Sequence, residues 1–323
     1  MQIRIGLDPL DPERRPTYAA MGNFDGVHRG HRALLGRLRD EARRDGVTSL
    51  VITFDPHPLQ VLRPHQAPPL LTSVAERAYL MEGLGIDILQ VIPFNREFAA
   101  TSAEDYVRQV LVERLGVRRL YGGAYFRFGR NREGSADLIR RLAPETGCQV
   151  VTVEPLPWQQ GAISSTLIRR LVAAGRVDEA AHLLTQPYII TGRVVRGPGR
   201  GRRLGIPTAN IDLPPGRARP AKGVYAVRVC VDGAVIPGVA NVGTRPTFTP
   251  AAETPILEVH LLDWEGDLYD KEIRVAFIRR LRDEMRFPGA QALLDQVARD
   301  VAAAKEALAA APPADEKYLC LFP

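Results

Sequence analysis

Cysteine is scarce in this chain: its 323 residues include three, Cys148, Cys230 and Cys320. The count is odd and no two cysteines have the spacing of a metal-binding or redox pair, so we expect neither a disulfide framework nor a structural zinc site. No segment has the apolar length of a membrane span, and the N-terminal stretch lacks the apolar core of a signal peptide. These absences predict a cytoplasmic protein.

What the chain does contain is apolar material and positive charge. It is 45% hydrophobic, which suffices for two domain cores at this length. The formal net charge is +6, and the arginines are spread along the chain rather than concentrated in one tail. A basic balance of this kind favours anionic small molecules such as nucleotides.

Helix-period and strand-period segments alternate through the first half of the chain. Residues 18–21, 49–54, 86–91, 119–121 and 149–153 are predicted strands, and helices are expected between them. The first helix should have Leu34, Leu35, Leu38 and Ala42 on one apolar face. Ser73 with Glu76 predicts a capping box, and Ser102 with Asp105 predicts a helix that ends near Gly116. Strand, loop, helix and strand in succession form a βαβ unit, which implies a parallel sheet. We therefore predict a doubly wound α/β domain over residues 1–184, closed by helices at 165–174 and 178–184.

The pattern changes at Gln186-Pro187, where helical periodicity gives way to short strands with turn residues. Asp232-Gly233 is typical of a hairpin turn. We predict a small β-barrel over residues 188 to about 288, followed by a helix at 290–310. Residues 185–323 thus form a second predicted domain.

The segment His28-Arg29-Gly30-His31 lies between a predicted strand and a predicted helix. Backbone N–H groups and the helix dipole make such a position suitable for anions, and two histidines add donors for a triphosphate. The alternative is that both are ordinary histidines at a helix start. Ser164, Ser165 and Thr166 open a later helix that carries Arg169, and this start also suits phosphate, although simple N-capping would explain the hydroxyls.

A second constellation lies in the predicted barrel. The Gly/Arg-rich segment 192–210 is neither a Walker loop nor a dinucleotide fingerprint, but it ends in Pro207-Thr208-Ala209-Asn210. Thr208 and Asn210 offer neutral oxygens for Mg²⁺, whose remaining ligands nucleotide phosphates and water supply. Glu258 lies on the polar face of an alternating strand, where a carboxylate is either a solvated surface group or a catalytic one.

The order of these motifs resembles the bacterial bifunctional riboflavin kinase/FMN adenylyltransferase family over nearly the whole chain. The resemblance is carried by GNFDGVHRGH, VITFDPHPLQVL, FRFGRNREG, ISST with Arg169, GRVVRGPGRGRRLGIPTAN, GVANVGTRPTF, LEVHLLDWEGDLYD and FIRRLRDEMRF. It implies a Rossmann-like nucleotidyltransferase domain and a six-stranded riboflavin-kinase barrel with a terminal helix.

The resemblance also implies roles for individual residues. Catalysis would fall to Glu258 as general base, and to His28, His31 and Arg169. ATP would be bound by Gly22, Asn23, Phe24, His28, His31, Ser164, Ser165, Thr166 and Arg169 in one site, and by Gly205, Pro207, Thr208 and Asn210 in the other. The flavin would be bound by Phe54, Asp55, Pro56, His57, Pro58, Tyr106, Phe126, Phe128 and Arg282, and Mg²⁺ by Thr208 and Asn210. The expected ligands are ATP, riboflavin, FMN and Mg²⁺, with FMN and FAD as products; neither nucleic acid nor a membrane is an expected partner, and oligomerisation is left open.

The sequence departs from the family pattern at two positions. Tyr125 stands just before the FxFG aromatics, where Asp or Asn is usual, so a phenol replaces an acceptor or amide beside the flavin edge. Leu167 stands where family members often have Arg.

Two other functions also fit parts of the sequence. One is a nucleotidyltransferase acting on another phosphate ester, with a barrel that only binds ligand; the pairing of PTAN with Glu258 disfavours it. The other is a nucleic-acid-binding module, suggested by RGPGRGRR. Aromatic residues do not interleave with that basic run, as base-stacking proteins require.

Overall fold

The structure is a computed structural model that describes residues 1–159, 161–197, 201, 204–245, 254–313 and 316–320. The chain forms two compact units. The α/β unit comprises residues 1–68 and 72–164, and the barrel unit comprises residues 69–71 and 165–323.

The α/β unit is built on a six-stranded sheet in which every neighbouring pair is parallel. Its strands are β1 (Gln2–Ile5), β2 (Thr17–Met21), β3 (Thr48–Asp55), β4 (Ile88–Pro93), β5 (Val117–Gly123) and β6 (Gln149–Val153), in the spatial order β1-β4-β3-β2-β5-β6. A two-stranded ribbon follows, β7 (Pro157–Trp158) with β8 (Gly161–Ala162). The helices are α1 (Arg29–Arg44), α2 (Pro58–Leu62), α3 (Val74–Gly83), α4 (Arg96–Ala99), α5 (Ala103–Asp105), which continues as a π-helix (Tyr106–Arg114), and α6 (Ala136–Thr146); short 3-10 turns lie at Pro12–Arg14, Pro64–Gln66 and Arg130–Arg132.

Apolar runs explain why this sheet is parallel and covered on both faces. Leu50, Val51 and Ile52 in β3 are all fully buried, although successive side chains of a strand point to opposite faces. A strand that is apolar on both faces needs helices above and below the sheet, which βαβ connections provide. The predicted doubly wound α/β fold is thus confirmed.

The helix starts follow their capping residues. In α1, the predicted apolar face is buried, including Leu35 and Leu38. Ser73 and Glu76 form the expected capping box at the start of α3. Ser102 caps α5 as expected, but the helix then widens into the π-helix rather than continuing regularly to residue 116.

The barrel unit contains a closed six-stranded barrel, as predicted. Its strands are β9 (Tyr188–Val195), β10 (Ala209–Asp212), β11 (Gly223–Val231), β12 (Ala234–Arg245), β13 (Thr254–Leu261) and β14 (Glu272–Arg282), in the order β10-β13-β12-β11-β14-β9. The turn at Asp232-Gly233 joins β11 to β12 in antiparallel register. The unit also contains α7 (Ser165–Ala173), α8 (Val177–Leu184), α9 (Ala290–Ala310) and α10 (Glu316–Cys320).

One feature of the α/β unit differs from the predictions. Strand β1 was not predicted; it forms a mostly exposed edge beside β4, so it lacks a buried apolar run. Helices α7 and α8 belong to the barrel unit by their contacts, and the domain bounds 1–184 and 185–323 stay a prediction. No helix in the described ranges combines the length and apolar character that crossing a membrane requires.

The expected absence of disulfides is wrong. Cys230 at the end of β11 and Cys320 in α10 form a disulfide bond, with Cα atoms 5.4 Å apart. Ninety residues separate them in sequence, and only the docking of α10 on the barrel brings them together. The buried Arg274 supports that docking by donating from Nη1 to the carbonyl oxygens of Tyr318 and Leu319, at 2.9 and 2.8 Å. Cys148 is free and buried, and burial raises the pKa of its thiol to about 11.

Candidate active sites

The first candidate site is the loop that leaves β2 and enters α1. His28 is the N-cap residue of α1, and its Nδ1 accepts a hydrogen bond from the backbone N–H of His31 at 3.3 Å. The histidine thus replaces the Ser, Thr or Asp that usually caps a helix. This arrangement places the His28 ring at the positive end of the helix dipole, where anions bind favourably.

The two histidine rings of the motif are stacked. Their centroids are 3.6 Å apart with an interplanar angle of 17°, and Phe24 packs edge-on against His31 at 5.1 Å. Burial lowers the pKa of His31 well below its ordinary value, and the charges of His28 and Arg77 lower it further. Its Nδ1 is buried and has no hydrogen-bond partner within the described ranges. His31 is therefore a neutral imidazole at neutral pH.

Buried polar contacts with a distant segment of the chain fix the conformation of the loop between β2 and α1. The carboxylate of Asp25, 2% exposed, accepts from the backbone N–H and the hydroxyl of Thr72 at 2.9 and 3.0 Å. Thr72 in turn accepts from the N–H of Gly26 at 2.8 Å. The buried Arg77 donates to the carbonyl oxygen of Asn23 at 2.6 Å. The motif itself did not reveal Thr72 or Arg77, because both come from a distant segment.

His57 connects the FDPHP segment to the same loop. Its Nδ1 accepts from the N–H of Leu59 at 3.2 Å, and its Nε2 lies 3.0 Å from Nδ2 of Asn23. The ring of His57 thus contacts both the start of α2 and the side chain of Asn23.

A continuous group of aromatic rings adjoins the FDPHP segment. Successive centroids lie 5.7 to 5.9 Å apart along the series Phe54, Phe94, Phe98, Tyr106, Phe128 and Phe126. The structure thus brings together four of the predicted flavin residues and adds Phe94 and Phe98. Both follow β4 in the segment PFNREF. Their position directly after a strand of the sheet was the only feature of the sequence that could have indicated them as site residues.

Two tyrosines near these rings have opposite surroundings. Tyr106 is buried, which raises the pKa of its phenol far above the ordinary value, and its hydroxyl has no partner in the described part of the chain. Tyr125 is 79% exposed and therefore does not pack among the rings.

The ISST motif divides between the two units. Ile163 and Ser164 belong to the α/β unit, where the carbonyl oxygen of Ile163 lies 3.9 Å from the position of a Cβ on Gly30. Ser165, Thr166 and Arg169 lie in α7 of the barrel unit, and Arg169 donates from Nε to the carbonyl oxygen of Pro69 at 2.7 Å. Their expected contact with ATP stays a prediction.

The second candidate site is a row of polar residues across three neighbouring strands of the barrel. Register places Glu258 of β13 directly opposite Asn210 of β10 on one side and Asn241 of β12 on the other. Opposite residues of antiparallel strands have Cβ atoms about 4.5–5.5 Å apart. Leu257 and Val259, on the other face of β13, are buried. Asn241 was missed because only the strand register reveals its proximity to Glu258.

This row lines a cavity of about 1010 Å³. Thr208 and Pro207 also line it, whereas the predicted Gly205 does not. His260 donates from Nδ1 to the carbonyl oxygen of Pro207 at 2.9 Å and thereby ties the PTAN segment to β13. Other lining residues include Trp264, Tyr269, Arg282, Glu284, Met285, Phe287, Leu293, Val297 and Asp300.

Two glycines of the Gly/Arg-rich segment, Gly197 and Gly201, lie very close to the PTAN segment. A Cβ on Gly197 would lie 2.2 Å from Nδ2 of Asn210, and a Cβ on Gly201 would lie 2.3 Å from the carbonyl oxygen of Ile206 and 3.3 Å from Oγ1 of Thr208. With Asn210 and Ile206 in these positions, a glycine is required at both sites. Backbone, hydroxyl and amide groups thus crowd together, and this neutral oxygen-rich set fits a Mg²⁺ ion that keeps phosphate and water ligands.

Each unit matches its own family model. Residues 10–167 match the model described as FAD synthetase, and residues 184–308 match the model described as riboflavin kinase. A parallel α/β unit followed by a closed barrel thus combines two classes of flavin-directed enzyme in one chain.

Full-length relatives show the same combination. The bifunctional riboflavin kinase/FMN adenylyltransferase of Pseudomonas fluorescens is 43% identical over 310 residues, covering 96% of this chain and 98% of the relative. The protein of the same name from Escherichia coli strain K12 is 40% identical and covers 91% and 93%, and that of Bacillus subtilis strain 168 is 37% identical and covers 90% and 92%. The chain belongs to the bifunctional riboflavin kinase/FMN adenylyltransferase family.

A solved structure supports the fold over nearly the whole chain. The crystal structure of a Streptococcus pneumoniae protein described as a macrolide-efflux protein is 28% identical, with a TM-score of 0.84. The match covers 94% of this chain and 99% of that one. The described function is that protein's own, and the likeness concerns the fold.

Proposed function

We propose that this chain phosphorylates riboflavin to FMN in its barrel unit and joins FMN to AMP at the α/β unit, giving FAD and pyrophosphate. The observation that carries the proposal is the row of Asn210, Glu258 and Asn241 across three strands, on the wall of a cavity large enough for a flavin and a nucleotide. A barrel that only bound ligand would not need a carboxylate between two amides.

In the kinase reaction, Glu258 is the general base. It accepts the proton of the ribityl 5′-hydroxyl as that oxygen attacks the γ-phosphorus of ATP, and ADP leaves. Thr208 and Asn210 would hold Mg²⁺, which when bound neutralises charge on the nucleotide phosphates. Gly197 and Gly201 let the backbone approach the PTAN segment that would bind these phosphates, and Pro207 and Gly205 complete the nucleotide loop.

In the adenylyltransferase reaction, a phosphate oxygen of FMN attacks the α-phosphorus of ATP. The start of α1 and the stacked His28 and His31 lie where an anion is stabilised, and both rings stabilise the charge that develops as pyrophosphate leaves. His31 contributes a neutral imidazole, because its pKa is lowered by burial. Asn23, which contacts His57, belongs to the same ATP site.

The remaining assignments belong to the same proposal. Gly22, Phe24, Ser164, Ser165, Thr166 and Arg169 complete the adenylyltransferase ATP site, and Phe54, Asp55, Pro56, His57, Pro58, Tyr106, Phe126 and Phe128 bind the flavin there. The catalytic domains extend over residues 1–184 and 185–323. The proposed location is the cytoplasm, where the Cys230–Cys320 bond would be an exception among cytosolic proteins. The proposed ligands are ATP, riboflavin and FMN, without a nucleic-acid or membrane partner.

The test is a chromatographic assay of purified protein with riboflavin, ATP and Mg²⁺. The proposal expects both FMN and FAD. FMN without FAD would support the barrel assignment and direct attention to Tyr125. Neither product would contradict the proposed function.

A further inference from the structure

Arg282, at the end of β14, is held at the wall of the barrel cavity by several polar groups. Its Nε and Nη2 donate to Oδ1 and Oδ2 of Asp300, at 2.8 and 2.7 Å. Its Nη1 donates to the carbonyl oxygen of Asp283 at 2.7 Å. A guanidinium has five N–H groups, so two remain beyond these three bonds.

Asp300 is the unusual member of this pair. It lies in α9 and is only 5% exposed, and a buried carboxylate is costly unless it is paired and hydrogen-bonded. Arg282 binds both of its oxygens, and Gln296, one helical turn earlier, donates to Oδ1 at 2.8 Å. The bidentate geometry fixes the plane of the guanidinium as well as its position.

Arg282 and Asp300 do more than join β14 to α9, because both side chains also lie at the cavity wall. Both Arg282 and Asp300 line the cavity, together with Phe287 and Leu293. The guanidinium carbon of Arg282 lies 5.9 Å from the centre of the Phe287 ring. The pair therefore also fixes the base of the segment 283–289, which joins β14 to α9.

We propose that Asp300 is a positioning residue for riboflavin phosphorylation. It holds the guanidinium of Arg282 in one orientation, so that the two remaining N–H groups can donate to the oxygen and ring-nitrogen acceptors of the flavin. This inference rests on the proposed kinase function. It assigns to Asp300 and Gln296 a role in flavin affinity that is separate from binding the nucleotide at Thr208 and Asn210.

The test compares Asp300→Asn, Asp300→Glu and Gln296→Ala with the wild-type full chain. Asn keeps the size of Asp300 but loses the charge that binds both guanidinium nitrogens, so KM for riboflavin should rise about ten- to hundredfold. KM for ATP and kcat should change less than about threefold, within the scatter of context effects. Glu should restore part of the riboflavin affinity, and Gln296→Ala should produce a smaller rise that is also limited to riboflavin.

The matched control is Asp295→Asn, an exposed carboxylate of the same helix that accepts from Gln291 at 2.8 Å. It should leave every kinetic constant unchanged. Thermal unfolding of each variant separates a general loss of barrel structure from a change in affinity.

Two results would overturn the inference. One is an Asp300→Asn protein with wild-type riboflavin KM. The other is a parallel loss of riboflavin and ATP affinity that follows the fall in stability, which is the signature of a purely structural pair. If Asp300→Asn does not fold, Gln296→Ala serves instead: a rise in KM that is limited to riboflavin supports the inference, and an unchanged riboflavin KM overturns it. If the wild-type protein makes no FMN, the proposed function fails first, and that outcome is distinct from a defect confined to the variants.

Discussion

The two candidate sites are held together in different ways. In the α/β unit, the cap of α1, the stacked rings and the contact with Phe24 all lie within the loop between residues 21 and 31, with Asp25 and Thr72 as support. In the barrel unit, Asn210, Glu258 and Asn241 come from three strands and meet only through their register. A local motif can therefore define the first site, whereas folding of the whole barrel defines the second.

Glu258→Gln should have the largest effect and should separate the activity of the barrel site from that of the α/β site. Loss of a general base typically costs a factor of about 10²–10⁴, so riboflavin phosphorylation should fall by that factor while FMN-to-FAD conversion continues. Separate assays starting from riboflavin and from FMN measure the two steps. Glu272→Gln, at an exposed position of β14, is the control. Full kinase activity in the Glu258→Gln variant would show that Glu258 is not the general base.

The converse change is His28→Ala. It removes one imidazole and the cap of α1, and loss of a single charge-stabilising donor commonly costs a factor of about 10²–10³ in rate. FMN-to-FAD conversion should fall by that amount while riboflavin phosphorylation stays intact. The same two assays apply, with His65→Ala as an exposed control. An unchanged FAD yield would contradict the proposed role of the motif.

A smaller effect, confined to the barrel unit, is expected for Cys320→Ala. Loss of a disulfide that closes a long loop costs about 2–4 kcal/mol of unfolding free energy. The barrel unit should therefore unfold at lower denaturant concentration, whereas the α/β unit should not change.

A thiol count checks the disulfide directly. The unreduced wild-type protein, once denatured, should expose one reactive thiol, that of Cys148, and reduction should raise the count to three. Three thiols without reduction would show that the bond is absent.

The smallest effect concerns pH and the α/β unit. The pKa of His31 is lowered on folding, so the unfolded chain binds a proton below about pH 6.5 that the folded site rejects. Stability of this unit should fall as pH drops from about 6.5 toward the folded-state pKa, and His31→Gln should flatten that part of the curve. Denaturant unfolding between pH 5 and pH 8 measures the difference. An identical slope in the variant would show that His31 does not cause it.

Local patterns predicted most of the fold. The apolar face of α1, the capping box of α3, the turn at Asp232-Gly233 and the helix at 290–310 all follow from spacing within a few residues. Strand β1 could not be predicted in this way, because Ile3 and Ile5 remain exposed and the strand is held mainly by backbone pairing with β4.

The same distinction between local and distant residues applies to the two candidate sites. His28 and His31 were visible in one motif, and Thr208 and Asn210 in another. The partners that position them come from distant segments: Arg77 contacts the backbone of Asn23, and Asp300 contacts Arg282. The disulfide was missed for the same reason, since its two cysteines gain proximity only through the docking of α10.

Gly197 and Gly201 differ in whether a second substitution could make room for a side chain. At Gly197 the obstacle to a side chain is the amide of Asn210, so a second substitution at residue 210 could compensate, although the amide would then be lost. At Gly201 the nearest obstacle is the backbone carbonyl of Ile206, which no side-chain replacement removes. Substitutions at Gly197 should therefore show epistasis with residue 210, whereas Gly201 should resist rescue by any single second mutation.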